Sequence, residues 1–141
     1  MNISIHNYRE SDYNEISALW ELLGMGGAER GDDANVIQRT LENGGALFIA
    51  KNEFSVVGTV WITTDQRRLY LHHMGVHPDF QNKGIGTLML DKCIEWGKQI
   101  GLQMKLEVNP ANTIAVAVYE KARFKRLCDY DVFIIRDYDL L

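Results

Sequence analysis

The clearest chemical signal in this sequence lies between residues 81 and 87. A strand pattern over Leu69–Val76 precedes a loop with Gly84 and Gly86, and these glycines open a helix that the apolar spacing predicts from Ile85. The first N–H groups of a helix lack partners inside it, and the helix dipole adds partial positive charge there. Glycine has no side chain to keep a phosphate away from the backbone. The segment therefore predicts an anion-binding loop, although its spacing matches neither GxxxxGK[ST] nor GxGxxG.

The charge distribution supports an anionic ligand in the middle of the chain. Residues 67–128 carry 5 acids and 10 bases, whereas residues 1–66 carry 10 acids and 4 bases. Residues 129–141 add 4 acids and 1 base, and the net charge is −4. We expect no nucleic-acid partner, because a protein that neutralises phosphate backbones is normally basic. Solvated surface charge is the alternative explanation for this pattern.

The elements that must position this loop follow from the hydrophobic periodicity. The pattern predicts the order β-α-α-β-β-β-α-β-α-β(β), with strands at 46–50, 54–63, 69–76 and 102–108 and a long helix from 85 to about 100. Residues 124–128 and 132–135 are predicted as closing strands, either a tight hairpin or one bent strand. At 141 residues, we expect one domain over 1–141 with helices packed on a mixed sheet.

Composition excludes several other classes of protein. No apolar run approaches the ~20 residues that cross a membrane, and the first residues do not resemble a signal peptide, so we expect a cytoplasmic protein without a membrane partner. Cys93 and Cys128 form no CxxC pair, which fits a reducing compartment and predicts no metal site.

Two motifs resemble the GCN5-related N-acetyltransferases, the GNAT family. Gln81-x-x-Gly84-x-Gly86, after a strand that ends in Met74-x-Val76-x-Pro78, is similar to the family's acetyl-CoA-binding motif. The second runs Asn112-x-x-Ala115-x-x-Val118-Tyr119-Glu120-Lys121-x-x-Phe124 and resembles a later motif on a short helix. The sequence departs from the family at Gln81, where arginine is common, and at Arg123, where glycine usually precedes Phe124.

The resemblance implies an α/β (α+β) single-domain fold. Its sheet would be mixed, mostly antiparallel and splayed, with helices on both faces. Acetyl-CoA would enter the gap between strand 69–76 and strand 102–108 as a co-substrate, with no metal. The implied cofactor-binding residues are Met74, Val76, Gln81, Asn82, Lys83, Gly84, Ile85, Gly86, Thr87, Asn112 and Lys121. A helix cap is the alternative role for Asn112.

The resemblance also implies the catalytic residues. Tyr119 stands where a tyrosine hydroxyl of the family reaches the sulfur of the cofactor, and a phenol can protonate a departing thiolate. The amine must lose a proton before it attacks. His72 is the first choice for the base, because some members of the family carry a base at that strand position, and an imidazole with an ordinary pKa of ~6.5 suits the task. Glu107 is the second choice. His73 is expected to point to the opposite face of the strand.

The resulting hypothesis is an acetyl-CoA-dependent N-acetyltransferase that acts on a primary amine by direct attack in a ternary complex. Protein N-terminal or lysine acetylation, and a non-catalytic CoA-binding module, are the alternatives. The acceptor is expected to be a small molecule or peptide, and cationic if Glu29, Asp32 and Asp33 border its site. Association into a homodimer stays open.

Overall fold

The sheet has five strands in the order β1-β2-β3-β4-β5 in a computed structural model that describes residues 2–140. The strands are β1 (Ser4–Asn7), β2 (Ala46–Lys51), β3 (Val56–Thr64), β4 (Leu69–Val76) and β5 (Met104–Leu106). Neighbours from β1 to β4 pair antiparallel, and β5 pairs parallel to β4. The predicted mixed, mostly antiparallel sheet is confirmed.

Four α-helices accompany the sheet. They are α1 (Tyr13–Leu22), α2 (Ala34–Glu42), α3 (Ile85–Ile100) and α4 (Thr113–Lys121). Helices α2 and α4 each have a side-chain cap at the N-terminus. At α2 the Asp33 carboxylate accepts from the Val36 N–H (2.9 Å). At α4 the Asn112 side chain accepts from the Ala115 N–H (3.2 Å). Helix α3 has no side-chain cap at its N-terminus, which leaves its first N–H groups open.

Two hydrophobic cores lie on opposite faces of the sheet, so the prediction of helices on both faces is confirmed. The α1/α2 face buries Ile16, Trp20, Ile37, Leu47, Ile49 and Trp61. The α3/α4 face buries Phe48, Val60, Ile62, Leu71, Met89 and Cys93, and Tyr119 and Phe124 pack against this core.

The sheet splays between β4 and β5. Only three residue pairs join the two strands, from Leu69 opposite Met104 to Leu71 opposite Leu106. Residues 72–76 continue β4 beyond the end of β5, and this half of β4 has β3 as its neighbour on one side alone. The gap that the resemblance implied is therefore present.

A β-bulge interrupts β4 at its histidines. His72 lies opposite Trp61 and Gly75 lies opposite Thr59, so two residues of β4 face one of β3. His73, in this bulge, has a left-handed backbone with φ 48°. Because the bulge breaks the alternation of side chains, both His72 and His73 face the α1/α2 side, near the Trp61 ring. The expectation that His73 points to the opposite face was wrong.

The two closing strands predicted at 124–128 and 132–135 were also wrong, because the structure forms no strand after β5 within the described residues. The chain turns after α4 at Arg123, whose φ is 77°, and then runs without pairing to β5. A strand forms only against a partner edge, and β propensity alone does not supply one. In the described residues, none of the helices is both long and apolar enough to span a membrane.

Candidate active site

The loop of residues 81–84 and the start of α3 form an open anion cradle. Gly84 precedes α3 with φ 81°, and the Leu88 N–H is the first to bond back, to the Gly84 carbonyl at 3.0 Å. The N–H groups of Ile85, Gly86 and Thr87 therefore have no partner inside the helix. Three N–H donors at the positive end of a 16-residue helix suit a phosphate group.

The two glycines of the cradle have different reasons to be glycine. Gly84 needs a left-handed backbone, which side chains disfavour. At Gly86, a Cβ atom would lie 3.6 Å from the Met74 Cε and 4.0 Å from the Val76 Cγ2, which are ordinary contacts. Packing therefore tolerates a side chain at Gly86, and the space in front of its N–H stays free for a ligand.

The polar side chains around the cradle have distinct roles. The Gln81 amide donates to the Val76 carbonyl (2.9 Å), so it ties the loop to β4 where arginine is common in the resembling family. The Lys83 ammonium lies 5.8 Å from the centre of the Phe80 ring, at the exposed rim. Lys121 is exposed at the end of α4.

The free edge of β4 presents backbone groups next to this cradle. The His77 N–H donates to the Val57 carbonyl (2.7 Å), and residues of an antiparallel strand alternate between facing their partner and facing away. The N–H and carbonyl of Val76 therefore point away from β3, toward the gap. The Gln81 amide occupies that carbonyl, which leaves the N–H of Val76 for an incoming extended ligand.

A histidine pair lies on the other face of the gap. The His72 Nε2 is 2.8 Å from the Thr63 Oγ1, which fixes the ring. The His73 Nε2 is 3.4 Å from an Asp32 carboxylate oxygen, and its ring centre is 4.4 Å from that of Trp20. The His73 Nε2 is shielded from solvent and has no hydrogen-bond partner among the described residues. Asp32 is therefore placed to form an ion pair with this histidine when the imidazole is protonated.

The bulge that holds these rings is itself hydrogen-bonded. The Thr59 hydroxyl donates to the His73 carbonyl (2.8 Å). The Trp20 indole N–H in turn donates to the Thr59 oxygen (2.9 Å), inside the α1/α2 core. This chain of bonds joins α1, β3 and β4 and supports the left-handed backbone of His73.

Both histidines are biased toward the neutral form. His72 is exposed, but partial desolvation by the surrounding residues lowers its pKa, against the opposing effect of the Asp32 and Glu107 carboxylates. Burial also lowers the pKa of His73, again against Asp32. Glu107 follows β5 directly, and its negative charge, like that of Asp32, favours the protonated form of His72.

Tyr119 lies on the opposite side of the sheet from the histidines. It packs against the α3/α4 core with its ring centre 5.9 Å from that of Phe124. Burial raises the pKa of Tyr119 further above the working pH range, so its hydroxyl stays protonated. The neighbouring Cys93 is also buried, which raises its pKa to about 12.

The sequence analysis missed Thr63, which fixes His72. It expected Asp32 at the border of the acceptor site but did not predict that the carboxylate faces His73. Thr63 could have been found from the pairing of β3 with β4. It lies opposite Tyr70, and Tyr70 is two residues before His72 on the same strand. No local pattern brings Asp32 to β4.

The sequence also matches a family model described as the acetyltransferase (GNAT) family, over residues 8–124. The chain belongs to the acetyltransferase (GNAT) family. The resemblance of its motifs is thereby confirmed, and the chain is an acetyltransferase of this family.

Solved GNAT-like structures share the whole fold. An acetyltransferase from Staphylococcus aureus Mu50 is 23% identical with a TM-score of 0.79, and the match covers 93% of this chain and 89% of that one. AAC(6')-Iy, in complex with a bisubstrate analogue, CoA-S-monomethyl-acetylneamine, is 18% identical with a TM-score of 0.78 and coverage of 96% and 98%. A predicted acetyltransferase from Clostridium acetobutylicum, with acetyl-CoA, is 17% identical with a TM-score of 0.74 and coverage of 94% and 96%.

Proposed function

We propose that this GNAT protein transfers an acetyl group from acetyl-CoA to a primary amine, by direct attack of the amine on the thioester in a ternary complex. The observation that carries the proposal is the position of the cradle at the end of β4, beside the half of β4 that β5 leaves unpaired. The cradle, at one end of the gap, binds phosphate. The unpaired half of β4, along the gap, offers backbone hydrogen bonds of the kind that a neighbouring strand would use. The relatives that hold acetyl-CoA or a CoA-linked analogue support the same donor.

The donor fits the residues at the gap. The N–H groups of Ile85, Gly86 and Thr87 bind its pyrophosphate, and Lys83 adds a point charge nearby. The open backbone of Met74 and Val76 pairs with its amides as an added strand does. Asn112 and Lys121 flank the mouth from α4. When bound, the donor supplies the acetyl group and a thiolate leaving group.

The acceptor enters from the α1/α2 face. His72 is exposed to the acceptor, and partial desolvation lowers its pKa and favours the neutral imidazole, which takes a proton from the ammonium form of the amine, directly or through a water. The Thr63 hydroxyl holds the ring for this transfer. Glu107, directly after β5, is the alternative base, and its charge acts on the pKa of His72. The Tyr119 hydroxyl supplies a proton to the departing thiolate from the α4 side.

Acetyl-CoA is expected to raise the melting temperature of the protein. At 100 times its Kd, a ligand that binds only the native state stabilises it by about 2.7 kcal/mol, on the order of 8 °C for a chain of this size. Gly86→Val should abolish this shift, because the new side chain covers the N–H donors while its Cβ fits the packing. Differential scanning fluorimetry measures both.

Asn35→Val is the matched control. It places the same residue at the second position of α2, where the side chain is exposed. Its shift with acetyl-CoA should equal that of the unchanged protein. A full shift in a folded Gly86→Val variant would contradict the cradle. Thiol release from acetyl-CoA with a panel of small amines, amino sugars, polyamines and peptides then tests turnover. No release with any of them would favour the non-catalytic alternative.

A further inference from the structure

The His73 side chain has a buried nitrogen without a partner. Its Nε2 is shielded from solvent and makes no hydrogen bond to any of the described residues. An Asp32 carboxylate oxygen lies 3.4 Å away, which is long for a hydrogen bond to a charged group. Leaving a buried polar group unpaired costs free energy. A proton gained at Nε2 would remove this cost, because Nε2 would then donate to the carboxylate.

The fold holds both groups in place. His73 lies in the bulge of β4, and Asp32 lies in the loop between α1 and α2. Leu23 and Met25 of this loop cover β4 at Gly75, where a Cβ atom would lie 2.5 Å from the Met25 Cε and 2.6 Å from the Leu23 Cδ1. Apolar packing therefore seats the loop on β4, whether or not His73 carries a charge.

Charged and titratable neighbours influence the charge of the His73 ring. Burial lowers the pKa of His73, the Asp32 carboxylate raises it, and His72 of β4 and Arg30 of the α1–α2 loop lower it further. From α1 and β3, tryptophan rings pack against it. The negative charge of Asp32 also acts on His72. A positive group beside His72 therefore lies within the field of the same carboxylate.

We propose, on the basis of the acetyl-transfer function proposed above, that Asp32 recognises a positive group of the acceptor other than the reacting amine, and that His73 competes with the acceptor for this carboxylate. With His73 protonated, its Nε2 pairs with Asp32 and cancels the negative charge. With His73 neutral, the carboxylate is free to pair with the acceptor. A cation that binds at Asp32 therefore displaces the proton of His73, and the two equilibria are linked.

The two histidines then control different kinetic constants. His72 takes a proton from the reacting amine, so its protonation lowers kcat. His73 acts through Asp32 on binding alone, so its protonation raises KM for an acceptor with a second positive charge. His73 is thus a positioning residue. A monoamine has no second charge, so with a monoamine the acidic limb reports on His72.

The ion pair is tested first without turnover. NMR titration of protein labelled at histidine gives the pKa of His73 in the unchanged chain and in Asp32→Asn. Asp32→Asn should lower this pKa, because asparagine keeps the shape of the side chain but removes its charge. Asp33→Asn is the control, since Asp33 caps α2 and asparagine also caps a helix well. An equal pKa of His73 in Asp32→Asn and in the unchanged chain would overturn the pairing.

Spermidine, a linear triamine, then probes the competition in protein saturated with CoA. Calorimetry should give a Kd that rises by about tenfold when the pH falls from about 8 to about 5.5, through the titration of an imidazole. In His73→Asn most of this rise should disappear, and asparagine tolerates the left-handed backbone at this position. His72→Asn is the control and should keep the rise. Absence of spermidine binding, or an equal rise in His73→Asn and the unchanged chain, would overturn the competition.

Steady-state kinetics with spermidine separates the two histidines. Over the same pH range, KM should rise by about tenfold in the unchanged chain but not in His73→Asn, whereas both should keep the acidic limb of kcat. Loss of that limb in His73→Asn would overturn the positioning role. If the NMR and calorimetric results are as expected but no amine accepts an acetyl group, the proposed transfer is contradicted and the competition at Asp32 stands.

Discussion

At the residue scale, the site depends on which groups hold protons at neutral pH. Partial desolvation drives His72 and His73 toward the neutral form, while Asp32 and Glu107 oppose that effect on His72. Tyr119 is driven toward its protonated form by burial. A neutral imidazole and a protonated phenol are the states that a base and an acid need at the start of the reaction.

His72→Ala should remove the acidic limb of the kcat/KM profile. A base with a lowered pKa is already neutral at pH 7, so activity should fall only as the pH drops below about 6.5. Removing the imidazole should leave low activity without that limb, measured by thiol release across pH. His6→Ala on β1, at the far edge of the sheet, is the control. If Glu107→Ala removes the limb instead, Glu107 is the base.

Tyr119→Phe should lower kcat by about 10²-fold, the lower range for loss of a general acid. The ring that packs against Phe124 is kept, so the melting-temperature shift with acetyl-CoA should not change. Steady-state kinetics measures the effect, and Tyr13→Phe on α1 serves as the control. Unchanged turnover would leave Tyr119 with a packing role only.

At the scale of elements, two left-handed residues set the local geometry. His73 forms the bulge of β4, and its carbonyl bonds to Thr59. Arg123 turns the chain after α4 with φ 77°, at the position where the family usually has glycine. Both positions keep a backbone that L-residues disfavour, because the neighbouring elements fix the path of the chain.

Arg123→Gly should increase the free energy of unfolding by about 1 kcal/mol. A non-glycine residue in the left-handed region costs roughly 1–2 kcal/mol, and glycine removes that cost. Part of the gain in stability is lost because the unfolded chain has more conformational freedom at a glycine. Urea denaturation measures the change. Ala117→Gly, at an exposed position inside α4, is the contrast, because a helix interior should lose stability when glycine is introduced. A destabilised Arg123→Gly variant would mean that the arginine makes a compensating contact.

At the scale of the whole molecule, acidic and basic residues are unevenly distributed along the chain. The basic middle of the chain supplies the cradle, and the acidic first part supplies the loop between α1 and α2. Of its three acids, Asp32 faces His73, Asp33 caps α2, and Glu29 is exposed. A cationic acceptor is therefore a proposal that depends chiefly on Asp32.

Neutralising Glu29, Asp32 and Asp33 together by Gln and Asn should raise KM for a cationic amine. The effect should shrink as salt is added, because exposed charges are screened beyond about 8–10 Å. Asp33→Asn alone is the control, since asparagine also caps a helix well. Initial rates at two ionic strengths provide the comparison. A KM that responds to neither mutation nor salt would contradict a cationic acceptor.

Local sequence was enough to predict most of the elements and the cradle. Helix α3 and its glycines depend on neighbours within a few residues, so periodicity and spacing predicted them, and β4 was predicted with its observed bounds. The α4 cap at Asn112 is equally local. The family motifs added the expected gap between β4 and β5, and the three-residue pairing confirms it.

Tertiary structure decided the features that depend on partners distant in sequence. The bulge turns His73 to the same face as His72, and the Thr59 hydroxyl, 14 residues away in sequence, donates to the His73 carbonyl. The alternation of apolar and polar residues along a strand cannot predict a hydrogen bond of this kind. Asp32 reaches β4 only because α1 and α2 pack on the sheet. Residues 132–135 have the sequence of a strand but form none within the described residues. A strand needs backbone hydrogen bonds to a neighbouring strand, so the β propensity of this segment alone did not determine whether or where it pairs.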